Sequence, residues 1–164
     1  MPYIAEGSYG CVFSPPLKCL NKNNTKTDQA GKIFNNKGSM EEEKELAEKI
    51  NKIDPKGKWT IPYYGSCFVN VNKTRPNDNI EKCNRYAKHI PVTEQLIYKN
   101  GGIDLNHFTN NFEFFKNNIF IDDLIPLFYN LLKGLRILNE KQIAHCDIKP
   151  PNMLYDFDES KIYI

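Results

Sequence analysis

The sequence predicts an α+β fold: short strands about one long helix, then a second helical stretch and a hairpin. Three observations predict it. Short apolar runs separated by Gly, Pro and Asn fill much of the first hundred positions, as strands and their turns do. Residues 39–53 and 121–141 instead space their apolar side chains three and four apart, the helical pattern. Residues 143–154 form a loop stiffened by Pro150 and Pro151, which forbid a regular helix there.

Residues 3–14 read as two short strands around a glycine turn. Gly7 and Gly10 let backbone N–H groups approach a phosphate, although an ordinary hairpin uses glycines in the same way. Residues 15–28 are polar and turn-forming, which predicts a surface connection. Ala30 to Phe34 reads as a strand with one inward ammonium, Lys32, or with a Lys that snorkels off the strand edge. In the 39–53 helix, Ser39 is the expected cap and Glu42 completes a capping box. Leu46, Ala47, Ile50 and Ile53 form the expected buried stripe. Glu43 continues that stripe, and a carboxylate on an apolar face is more informative than one on the wet side. Asp54-Pro55-Lys56-Gly57 ends the helix.

A strand is expected within 59–71, and 70–92 reads as a surface insertion, polar through 89 and without chemistry. Glu94 to Lys99 is a strand running into Asn100-Gly101-Gly102. Residues 105–119 suggest a short helix packing through Phe108, Phe112 and Phe115. In the 121–141 helix, Leu124, Leu127, Phe128, Leu131, Leu132, Leu135 and Leu138 make a wide apolar face that core packing explains. Residues 153–155 and 161–164 read as a hairpin around 156–160.

Composition sets the bounds. A chain of 164 residues can bury one ordinary core. It is 40% hydrophobic and 26% charged, with a formal net charge of +2, too mild a balance to argue for a nucleic-acid or membrane partner. Five scattered cysteines without a Cys-x-x-Cys pair support neither zinc nor a disulfide framework. Reduced thiols in a soluble, cytoplasmic protein are expected.

The loop holds Asp147, Lys149 and Asn152 among apolar residues at fixed separation. Phosphoryl transfer asks for those groups: a carboxylate to orient a hydroxyl, a cation for the moving phosphate and an oxygen for Mg²⁺. The string from Ile143 to Leu154 closely resembles the catalytic loop of protein kinases, His-Arg-Asp-Leu-Lys-Pro-x-Asn. The glycine turn, strand Lys, helix Glu and Gly101-Gly102 come in that family's order, so the resemblance covers essentially the whole chain.

The resemblance implies a eukaryotic-type serine/threonine protein kinase fold, with 1–100 as the small lobe, an antiparallel sheet carrying one long helix, and 101–164 as the first part of a helical large lobe. It implies ATP and Mg²⁺ as cofactors and a protein substrate of unknown identity. Asp147 would orient the attacking hydroxyl, Lys149 would steady the γ-phosphate and Asn152 would help hold Mg²⁺. Lys32 would meet the α- and β-phosphates and pair with Glu43, with Glu42 and Glu45 as alternatives. Ile4, Ala5, Gly7, Ser8, Gly10 and Val12 would line the nucleotide, Ala5 standing where the family has its first glycine. Leu96 would guard the back pocket, the backbones of Ile97 and Lys99 would bond adenine, and Leu154 would floor it. Asp104 would meet the ribose or cap a helix.

Departures from the family pattern carry expectations too. Cys146 stands where many members have an arginine for a phosphorylated activation loop, so that form of control is not expected. The family would place Asp-Phe-Gly immediately after Ile164, which implies an incomplete kinase, inactive alone, with a large-lobe face open to a partner. The Lys/Asn bias and loose insertions resemble kinase-like proteins of large DNA viruses. A non-catalytic kinase-like binding protein and a small-molecule phosphotransferase are the alternatives. The Lys149-Pro150 pair favours protein over small-molecule substrates.

Overall fold

β1 (Tyr3–Gly7) and β2 (Gly10–Phe13) pair across the glycine turn in the computed structural model, which describes residues 3–21, 26–84, 90–111 and 121–164. β3 (Gln29–Phe34), β4 (Tyr63–Asn70) and β5 (Val92–Lys99) complete one antiparallel sheet in the order β1-β2-β3-β5-β4. Gly10 lies opposite Phe34, and a Cβ there would overlap the Ile33 carbonyl, so the approach of β2 to β3 itself requires glycine. Strand alternation sends Ile33 to one side and Phe34 to the other. Ile33 joins Cys11, Phe13, Leu17 and Val69 in one apolar cluster, whereas Phe34 joins Met40, Ala47, Tyr63 and Leu96 in a second.

Met40 and Ala47 belong to α1 (Lys37–Ile53), which begins two residues before the expected start. The cap differs as well. Asn36 Oδ1 accepts the Ser39 N–H at 2.8 Å, so Asn36 rather than Ser39 satisfies an end donor, and Ser39 lies inside the helix. Of the expected stripe, Ala47 is buried and Ile50 and Ile53 are partly buried, Met40 extends it and Glu43 is half-buried on it, while Leu46 is exposed.

Three expectations are corrected in this part of the chain. Residues 15–28 were expected on the surface, yet Pro16 and Leu17 are fully buried, held by the Gln95 side chain. Its amide accepts from the Leu17 N–H at 3.2 Å and donates to the Leu17 carbonyl at 2.6 Å, replacing strand partners for that backbone. The 70–92 insertion contributes Val71 and Cys83 to the core through short 3-10 turns at Val71–Lys73, Pro76–Asp78 and Ile80–Lys82. The cysteines expected as reduced thiols form two disulfides, Cys11–Cys83 and Cys19–Cys67. Separations of 72 and 48 residues leave no local spacing signal for such pairs. Cys146 remains a free, exposed thiol.

The chain divides into two compact units: Met1–Lys49 with Pro62–Asn100, and Ile50–Ile61 with Gly101–Ile164. The second unit thus takes in the end of α1 and the segment after it. It contains β6 (Ile103–Asp104), α2 (Leu105–Asn110), α3 (Ile121–Glu140), β7 (Leu154–Asp156) and β8 (Lys161–Tyr163). The three strands form a small antiparallel sheet in the order β6-β7-β8, with the 161–163 hairpin where it was expected.

Trp59, read as part of a strand, instead packs on α3, where a Cβ at Gly134 would overlap its indole. Leu131, Leu138, Phe108, Met153 and Tyr155 share that core. Asp54 holds the approach to Trp59: its carboxylate accepts the N–H groups of Lys58, Trp59 and Thr60 at 2.9–3.1 Å, and the Thr60 hydroxyl at 3.1 Å. Phe128 and Leu132, expected within the apolar face of α3, are exposed. Phe112 and Phe115 lie outside the described residues. No helix among the described residues is long and apolar enough to cross a membrane.

Candidate active site

In the first unit, β3 projects Lys32 toward α1. Lys32 Nζ donates to Glu43 Oε2 at 2.5 Å, while Glu42 and Glu45 lie exposed. The pair is partly open to water, with side chains 24% and 30% exposed. Phe34 lies under the ammonium, its ring centroid 4.9 Å from Nζ. Tyr98 of β5 reaches the other carboxylate oxygen, donating its hydroxyl to Glu43 Oε1 at 3.1 Å. Burial foremost, then the Glu43 charge, pushes the Tyr98 phenol far above its ordinary range, so it stays a donor.

A neighbouring ion pair has a separate structural task. Lys44 Nζ donates to Glu94 Oε1 at 2.7 Å, and the Ser66 hydroxyl donates to the same oxygen. Burial works to raise the Glu94 carboxyl, but the Lys44 and Ser66 bonds outweigh it and hold it low. This network ties α1 to β4 and β5.

The glycine turn presents Ala5 opposite Val12 and Gly7 opposite Gly10. An added Cβ at Gly7 would have its nearest neighbour, the Gly10 carbonyl, at 3.9 Å. The fold therefore does not require glycine at 7, in contrast to Gly10. The Ser8 carbonyl accepts from Asn35 Nδ2 at 3.3 Å, and Ile4 is exposed.

The expected adenine contacts fare differently. Ile97 is flanked by Gly31 of β3 and Gly65 of β4, so its backbone lies inside the sheet, away from any free edge. The Lys99 N–H donates to the Pro62 carbonyl at 2.9 Å. The Ile97 backbone and the Lys99 N–H thus have partners within the protein. Leu96 is fully buried opposite Lys32, whereas Tyr98, two residues on, lies opposite Ala30.

In the second unit, three residues of the 143–154 loop close on one another. Lys149 Nζ lies 2.9 Å from Asp147 Oδ1, and Asn152 Nδ2 donates to Asp147 Oδ2 at 2.7 Å and to the Asp147 carbonyl at 3.0 Å. Cys146 adopts φ of 60°, a left-handed conformation just before Asp147. Pro150–Asn152 then forms a single 3-10 turn. The Lys149 bond first, then that of Asn152, holds the Asp147 carboxyl below the usual carboxylate range. Asp147 and Lys149 are 60% and 52% exposed, so both are open to a reactant. Because Asn152 bonds through Nδ2, its oxygen is the atom left for a cation.

Leu154 lies on β7 against Gly101, opposite Asp104. Asp104 Oδ1 accepts the His107 N–H at 2.8 Å, the helix-capping role.

The chain is 26% identical over 160 residues to the DYRK-family kinase pom1 of Schizosaccharomyces pombe (strain 972 / ATCC 24843). The match covers 93% of this chain and 12% of that protein's length. No protein-family model matches the chain. The likeness hints at a kinase-like relationship.

Sequence reasoning missed Tyr98 and Asp54 as organising groups. Tyr98 was read only as part of a strand, although its spacing from Leu96 puts both side chains on one face. Asp54 read as a helix stop, and its acidic side chain preceding Pro55 was the available signal.

Proposed function

We propose that this chain carries a protein-kinase-like fold and serves phosphate transfer from ATP to Ser or Thr of a protein. The observation that carries the reading is the loop in which Lys149 and Asn152 both close on an exposed Asp147. The Lys32–Glu43 pair, the unforced glycine at 7 and the likeness to a DYRK-family kinase support it.

Bound ATP would supply the transferable phosphoryl group. Asp147, its carboxyl held below the usual carboxylate range by Lys149 and Asn152, is suited to accept a bond from the attacking hydroxyl and orient it. Lys149 would bring a cation to the phosphate oxygens, and Asn152 would offer one neutral oxygen to Mg²⁺. A single amide oxygen suits a cation that keeps phosphate and water ligands, as Mg²⁺ commonly does. Lys32 would hold phosphate oxygens, with Glu43 fixing its position.

The test is transfer from labelled ATP to Ser/Thr peptides by the full-length protein, with and without Mg²⁺. Metal-dependent transfer abolished by Asp147→Asn supports the reading; transfer untouched by that change refutes the role of Asp147.

The second reading is a non-catalytic binding protein, favoured by the exposed apolar side chains on α3, Ile125 at 64% and Leu132 at 62%. It expects no turnover, and an associated state in sedimentation that Leu132→Asp disperses.

A further inference from the structure

Three elements of the first unit converge on one carboxylate: Glu43 on α1 receives Lys32 from β3 and Tyr98 from β5. The donors take different oxygens, Lys32 at Oε2 and Tyr98 at Oε1. We propose that the Tyr98 hydroxyl is a positioning group that fixes the Glu43 carboxylate so that it meets Lys32. This deepens the phosphate-transfer reading and rests on it for its functional meaning.

The physical need is clear from the pair itself. Lys32 and Glu43 are long side chains, each partly exposed, and such pairs are poorly defined by mutual attraction alone. A carboxylate held at one oxygen can still turn about its terminal torsion, where rotamers are broad. A second donor on the other oxygen removes that freedom and fixes the carboxylate plane. Tyr98 suits the task because its own ring is fixed. It packs against Tyr63, with centroids 5.3 Å apart, and its strand is hydrogen-bonded on both sides. The phenol also remains protonated, so it cannot become a competing negative charge beside Glu43. Lys32 therefore meets a carboxylate whose orientation the sheet sets through Tyr98.

Tyr98→Phe keeps the ring and its packing while removing only the hydroxyl. The first measurement is acylation of Lys32 by acetic anhydride in nucleotide-free protein, followed by peptide mass spectrometry. Loss of the bond raises Lys32 labelling about fivefold, the factor carried by one ordinary hydrogen bond, with Lys56 and Lys58 labelling unchanged as internal controls. Glu43→Gln raises Lys32 labelling as well, and Tyr98→Phe adds nothing in that background. Unchanged Lys32 labelling in a folded Tyr98→Phe protein, with Glu43→Gln raising it, overturns the proposal.

The second measurement is affinity for Mg²⁺-ATP by fluorescence titration with a labelled analogue. Tyr98→Phe weakens binding several-fold when Glu43 is present and leaves it unchanged in Glu43→Gln. Equal losses in both backgrounds mean that Tyr98 acts by packing and overturn the positioning role. Failure of the wild-type protein to bind nucleotide refutes the phosphate-transfer reading instead, while the labelling result still decides whether Tyr98 positions Glu43.

Discussion

The two candidate clusters are built by opposite means. Lys32, Glu43 and Tyr98 lie on three elements, with 11 and 55 residues separating Glu43 from its partners, and tertiary packing holds them. Asp147, Lys149 and Asn152 lie within six consecutive residues and hold one another through bonds spanning two and five positions. The first cluster is partly buried and depends on strand register. The second is exposed and depends on the left-handed backbone at Cys146 and the stiffness of Pro150 and Pro151. The units that house them differ in the same sense. Both disulfides lie in the first unit, whereas the second unit has none among the described residues. A local loop can present its groups with little help, but a cluster assembled across a sheet requires the sheet to be held.

The largest effect should separate the clusters by kind. On the proposed phosphate-transfer reading, Asp147→Asn should lower the rate by roughly 10²–10⁴-fold with little change in ATP affinity, the range for losing a proton-handling group. Lys32→Met instead weakens ATP binding. Steady-state kinetics paired with nucleotide titration check the split, and matching patterns for both variants would erase the distinction.

Next in size is the staple. Cys83→Ala, which opens a connection across 72 residues, costs about 2–4 kcal/mol of unfolding free energy. Urea unfolding followed from the first unit reads the loss, and reductant, which also opens Cys19–Cys67, should destabilise the wild type by more than Cys83→Ala does. If Trp59 fluorescence, which reports the second unit, registers the same loss, the two units unfold as one.

A smaller effect tests the loop. Lys149→Met should raise the Asp147 titration midpoint toward the ordinary carboxylate range, because the Lys149 bond is the main cause of its depression. A depressed carboxylate adds stability above its unfolded pKa and loses it as pH falls through its folded value. Carboxyl ¹³C shifts measure the midpoint, and an unmoved value would assign the depression to Asn152 instead. Activity that requires ionised Asp147 should accordingly persist to lower pH in the wild type than in Lys149→Met.

The smallest effect belongs to an exposed local pair. Arg136 Nε donates to Glu140 Oε1 at 2.9 Å along α3. Arg136→Ala should cost only about 0.3–0.5 kcal/mol, the usual size for such helix pairs. A loss several times larger in thermal unfolding would mean that local pairs matter more here than their exposure suggests.

The order of the chemical groups, the two long helices, the glycine turn and the closing hairpin were already legible in the sequence. It also specified the loop cluster, because bonds spanning two to five residues follow from spacing and from prolines that limit the backbone. Tertiary structure alone decided that Asn36 caps α1 and that Tyr98 takes the second oxygen of Glu43, and it selected Glu43 over Glu42 and Glu45 as the partner of Lys32. It likewise decided that Leu17 is buried and that Cys11 and Cys19 are paired, where polar composition and scattered spacing suggested surface and free thiols. The reason is register. Helical and strand periodicities indicate which side chains share a face, but one residue of shift or rotation changes which face is buried. Only the complete set of sheet and helix contacts fixes that choice.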